Sequence, residues 1–158
     1  MENKKKLIES LAIQVKKILE NEQHSYISDD EKKEIYKDVM NEVVSSLKKN
    51  PQKQVNLTQR EIDKAEFDYY YTEWKKRTYV MSSLTQMYRE PSYKALEKMG
   101  KRAIPFIYHQ AKYENSFLKT LLEEIYGCNY DYDDNGKLVT PEEMTERWIK
   151  KMEQEGDI

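Results

Sequence analysis

Apolar residues recur at steps of three and four over residues 3 to about 23, where Leu7, Ile8, Leu11, Ala12, Val15, Ile18 and Leu19 fall on one stripe of a helix. A second stripe, Ile35, Tyr36, Val39, Met40, Val43, Val44 and Leu47, follows the capping box Ser28-Asp29-Asp30-Glu31. Lys48 and Lys49 suit the negative end of that helix, and Asn50-Pro51 stops it, with Asn50 expected in the left-handed conformation. Matched lengths and a short joint predict an antiparallel hairpin over residues 1–50, whose stripes can also serve a second copy in a homodimer.

After a polar connector over 51–57, a second capping box, Thr58-Gln59-Arg60-Glu61, opens a long helical region. Ile62, Ala65/Glu66, Tyr69/Tyr70, Trp74, Met81, Leu84 and Met87/Tyr88 keep helical spacing, with a break expected where β-branched residues and serines gather at 78–83. Pro91 ends this region. A short helix carries Tyr93, Leu96 and Met99 inward and stops at Gly100, and Pro105 lies early enough in the next helix to be tolerated. Phe117, Leu118, Leu121, Leu122, Ile125 and Tyr126 mark another helix ended by Gly127, and Pro141 opens a last one with Met144, Trp148 and Met152 four apart. The class is all-α: the hairpin at 1–50, then a compact multi-helix bundle at 58–158.

Composition agrees with that class. Only four Gly and four Pro leave little material for the turns of a sandwich or barrel, and 35% charged against 38% hydrophobic residues implies a large helical surface. The single cysteine, Cys128, excludes an internal disulfide and fits a reducing compartment. Charge alternates with leucine over the first fourteen residues and no apolar run is long enough to cross a bilayer, so a cytoplasmic protein with no membrane partner is expected.

The segment 74–148 resembles a family of small, uncharacterised bacterial and mobile-element proteins. The shared pattern is paired Ser (Ser82, Ser83), Pro-x-Tyr (Pro91, Tyr93), Met-Gly-x-x-Ala-Ile-Pro-x-Ile (99–107), Ile-x-Gly (Ile125, Gly127), a later Gly136, and Met144 with Trp148. The likeness covers about half the chain and leaves out the first 60 residues; Phe117 and Tyr126 stand where the family often has tryptophan and threonine. No catalytic residue comes with it. The Gly-x-x-Ala-Ile-Pro element also resembles one HEAT-like helix pair, which implies an interaction surface.

Two patterns suggest chemistry. Residues 131–142 satisfy the EF-hand loop rule, placing oxygens of Asp131, Asp133 and Asn135 at positions one, three and five, a glycine at six and Glu142 at twelve, the donor set a calcium ion needs. The flanks oppose it: Gly127-Cys128-Asn129 interrupts the entering helix and no second loop pairs with this one, so an acidic connector is the better reading. The other pattern is charge asymmetry beneath a net charge of −2. Basic residues crowd 75–112, where Lys75, Lys76, Arg77, Arg89, Lys94, Lys98, Lys101 and Arg102 form a candidate interaction surface, and acidic ones dominate 113–158.

Other candidates are weaker. His24 and His109 are distant in sequence and lack Cys or carboxylate at ligand spacing, so neither a metal nor a triad role is expected. One of Ser82 and Ser83 is expected to cap within the helical break. Tyr69, Tyr70 and Tyr71 point around a helix and cannot form one stacking platform. With no catalytic constellation and no cofactor motif, the expected function is a non-enzymatic protein–protein interaction or regulatory module. Nucleic-acid binding through 75–112 is the alternative, and calcium binding through 131–142 the third.

Overall fold

The same local rules that mark the helices in the sequence set their ends in the computed structural model, which describes residues 2–52, 57–114 and 116–158. Helix α1 (Glu2–Leu19) is followed by a 3-10 turn (Glu22–His24) and α2 (Asp29–Lys49). Ser28 caps α2: its hydroxyl accepts from the Glu31 N–H at 3.2 Å, and the Glu31 carboxylate reaches back to the Ser28 N–H at 3.4 Å. Helix α3 (Gln59–Thr78) begins at the second capping box, where the Thr58 N–H donates to Glu61 Oε2 at 2.8 Å. Then come α4 (Leu84–Met87), α5 (Pro91–Met99), a 3-10 turn (Gly100–Ala103), α6 (Ile104–Tyr113), α7 (Lys119–Tyr126) and α8 (Pro141–Glu155). Among the described residues there is no strand, only one isolated bridge, and no helix is long and apolar enough to cross a membrane.

Asn50 departs from the left-handed expectation. Its φ of −143° is extended, and its side chain accepts from the Gln52 N–H at 3.2 Å. The cause is Pro51, whose ring crowds the preceding residue out of helical space, so the helix closes on an Asx turn. The connector residues 53–56 lie outside the described set. Gly100 (φ 57°) and Gly127 (φ 66°) do take the left-handed conformation, which costs glycine nothing. Pro105 sits in the first turn of α6 and Pro141 opens α8.

Packing divides the chain into two units, Met1–Ala95 and Leu96–Ile158, with the boundary inside α5. The sequence-based division at 50–58 falls elsewhere because α3 joins α1 and α2 instead of heading a separate bundle. In the first unit, Val15 and Leu19 pack with Ile27, Ile35, Val39 and Ile62, and Leu11 packs with Val43 and Leu47. Early α1 thus meets late α2, the antiparallel register the stripes imply. Those stripes are buried within the chain instead of being left for a second copy; Leu7 and Ile13 are the large apolar residues α1 leaves exposed. In the second unit the buried side chains include Leu96, Ile104, Ile107, Leu121, Leu122, Trp148 and Met152, and α6 packs on α8.

Candidate functional site

Helix α3 turns a mixed face inward: Ile62, Phe67 and Tyr70 share it with Asp63 and Glu66, both carboxylates buried. The partner of those carboxylates comes from the joint between α1 and α2. The Asn21 side chain accepts from the Gln23 N–H at 3.2 Å and opens the 3-10 turn. The His24 N–H then donates to the Asn21 carbonyl at 2.9 Å, and the His24 carbonyl accepts from the Ile27 N–H at 3.0 Å. Held from both sides, the imidazole is wholly buried, with Nδ1 3.3 Å from Glu66 Oε2. The Tyr26 hydroxyl donates to the other oxygen, Glu66 Oε1. Gln59, one turn before Asp63, donates to Asp63 Oδ1 at 2.9 Å and places the same amide nitrogen 3.1 Å from His24 Nε2.

The amide nitrogen that donates to Asp63 also lies against His24 Nε2, so Nδ1 is the nitrogen turned toward Glu66. The Nδ1 approach is close but lacks hydrogen-bond alignment. One donor atom from each of His24, Asp63 and Glu66 lies within 4.8 Å of the others, which makes this the group among the described residues able to hold a metal ion. The sequence reading missed it because His24 lies some forty positions from its carboxylates. The available signal was two acidic residues at the spacing of Ile62, Phe67 and Tyr70, where a solvated face would have carried them outward.

The basic candidates fall on both units: Lys75, Lys76, Arg77, Arg89 and Lys94 in the first, Lys98, Lys101 and Arg102 in the second. Lys75 lies over the Tyr71 ring at 4.7 Å, and Lys76 and Arg77 approach Glu73 at 3.8 and 3.7 Å. Lys101 lies 3.9 Å from Asp157, a pairing of the basic segment with the acidic one inside the second unit. Beside the first three, the end of α3 exposes a ledge. Thr78 is buried and its hydroxyl donates back to the Trp74 carbonyl at 2.7 Å, while Trp74 Nε1 donates to the Met87 carbonyl at 2.8 Å. Ser83 caps α4, accepting from the Gln86 N–H at 3.4 Å. Between these ties Tyr79 and Val80 are 89% and 85% exposed, and Leu84 opening α4 is 65% exposed.

The EF-hand-like loop is a turn closed on itself. Asp133 Oδ1 accepts from the Asn135 and Lys137 N–H groups, each at 2.9 Å, and Tyr132 bridges Leu138. Asp131 Oδ1 accepts from Lys119 Nζ at 2.9 Å, a bond that, with a second from Asn129, holds its carboxyl below the usual range. Glu142 lies exposed in the first turn of α8, whose cap is Thr140. With Asp131 and Asp133 engaged in this way, calcium is expected to leave the melting temperature unchanged, as differential scanning calorimetry with and without the ion would show. The Lys119 pair is present at neutral pH and is lost as acidification takes Asp131 through its lowered pKa.

Exposed His109 lies 3.8 Å from Glu114. Cys128 contacts Tyr130, whose phenol is pushed above its ordinary pKa by burial and by that thiol. Tyr70 is buried while Tyr69 and Tyr71 are half-buried. Burial followed by the Glu31 carboxylate raises the Tyr70 pKa. No family model, curated protein or solved structure matches this chain.

Proposed function

We propose that the chain is a non-enzymatic protein–protein interaction module that docks its partner on the ledge after α3. The observation that carries this reading is the exposure of Tyr79, Val80 and Leu84 on backbone tied down at Thr78, Ser83 and Met87. Exposed apolar groups on a loose loop would cost little, but a hydrogen-bonded turn presents them with the ordering entropy already lost, which favours binding. Lys75, Lys76 and Arg77 in the last turn of α3 set the partner's chemistry: a protein segment with large apolar side chains beside carboxylates.

Panning a phage-displayed random peptide library on the whole chain tests this. Enriched peptides are expected to place acidic residues next to large apolar ones. Tyr79→Ala and Val80→Asp should each weaken the best peptide at least tenfold, about 1.4 kcal/mol, in a fluorescence-polarisation titration. Both side chains are exposed, so the melting temperature should hold. Peptides without acidic residues, or affinities indifferent to both substitutions, would overturn the reading. Tyr79-dependent binding of a short DNA strand that weakens steeply with salt would put nucleic acid in the partner's place.

A further inference from the structure

We infer that His24, Asp63 and Glu66 form a binding site for one divalent cation of the zinc class. The site lies wholly within the first unit.

The donor types select the ion. One imidazole nitrogen with two carboxylates suits zinc and its first-row neighbours, whereas calcium and magnesium take oxygen shells and gain little from a buried imidazole. Charge agrees, because a dication with two carboxylates and a neutral imidazole makes a neutral complex, the form a dry interior tolerates. Distance agrees as well. Zinc bonds near 2.0–2.1 Å at the tetrahedral angle put neighbouring donors about 3.3–3.4 Å apart, and His24 Nδ1 lies 3.3 Å from Glu66 Oε2. That nitrogen is buried, turned to the carboxylate and without an aligned hydrogen bond, and an ion bound there would displace any hydrogen it carries and leave the imidazole's hydrogen on Nε2.

The groups around the donors have the form of a second coordination layer. Metal-binding imidazoles donate the N–H of the other ring nitrogen to an acceptor, and metal-binding carboxylates are themselves hydrogen-bonded. Here Tyr26 donates to Glu66 Oε1, fixing the carboxylate with Oε2 toward His24, while Gln59 lies at His24 Nε2, where turning its carboxamide end for end would exchange its bond to Asp63 Oδ1 for an oxygen that accepts the Nε2–H of the ion-bound imidazole. Asp63 and Glu66 are three apart on α3 and His24 is pinned by the backbone of its 3-10 turn, so the three donors sit on ordered elements. Either carboxylate closing bidentately completes the fourth position.

The test uses the full chain, stripped with a chelator and titrated with zinc chloride against a chromophoric competitor. One ion per chain is expected, with a higher melting temperature in excess zinc, and cobalt(II) in its place should give a visible d–d band. Asp63→Asn keeps the shape of the site and should lower affinity at least a hundredfold, with circular dichroism verifying the fold. His24→Ala should abolish the cobalt band. His109→Ala, Cys128→Ser and Asp131→Ala should each retain full binding. Failure of the stripped protein to take up one equivalent, uptake that survives Asp63→Asn with its affinity intact, or uptake lost in any of the three controls would overturn the site.

Discussion

Trp148→Ala is expected to unfold most of the second unit at room temperature. The indole is fully buried on α8, meets the Tyr130 ring edge-on at a centroid distance of 4.7 Å and lies 6.3 Å from Tyr126, with buried Met152 one turn on. Truncating a buried tryptophan to alanine costs about 3–5 kcal/mol, the transfer free energy plus the cavity left behind. A unit of roughly sixty residues has on the order of 3–9 kcal/mol of stability in all. The loss is therefore comparable with the whole, and each kcal/mol removed lowers the melting temperature by roughly 4–8 °C at this size. Amide hydrogen exchange should show protection lost across α6, α7 and α8. Trp148→Phe distinguishes packing from chemistry: Trp148 Nε1 has no hydrogen-bond partner, so phenylalanine gives up volume but no bond and should cost less than half as much. Equal losses from the two substitutions would mean that aromatic packing is not what holds α8.

Local grammar was legible in the sequence, because a cap or a breaker acts through its own backbone. Ser28 with Glu31, Gly100, Gly127, Pro105 and Pro141 each set a helix end where the residue type requires one. The stripes on α1 and α2 were legible for the same reason, since one helix period decides them. Two things needed the third dimension. The α3 stripe reads as an ordinary continuation along the chain, and only packing shows that it completes the first unit instead of starting the next. The His24 cluster depends on which face of α3 meets the α1–α2 joint, a matter of the rotation of one helix about its axis that no local pattern encodes. The acidic loop shows the converse: its spacing matches a calcium motif in full, yet Asp131 is bonded to Lys119 and Asp133 to its own turn.

Glu66→Ala should be the most damaging single change in the first unit, at about 3–5 kcal/mol in metal-free buffer, because it strips one member from a buried polar group and leaves the rest in place. Tyr26 loses the acceptor of its hydroxyl and His24 Nδ1 loses the oxygen it faces. Urea denaturation of a double-mutant cycle resolves the two effects. Tyr26→Phe alone should cost about 1–2 kcal/mol, and close to nothing once Glu66 is already alanine, since the bond it removes is gone. A full additive cost in the double mutant would mean that the phenol acts through packing alone. The sharper comparison removes the whole cluster. With His24→Leu, Asp63→Leu and Glu66→Met joined by Tyr26→Phe and Gln59→Leu, the donors that the three residues hold are removed together with them, and apolar side chains stand in place of the buried polar ones. Such replacements of buried charge are commonly neutral or stabilising. The combined variant is therefore expected to melt at or above the wild type, far above Glu66→Ala, while taking up no zinc. That outcome would show a cluster kept at a cost in stability, as expected when its residues serve binding; a combined variant as unstable as Glu66→Ala would make the cluster a structural requirement of the fold.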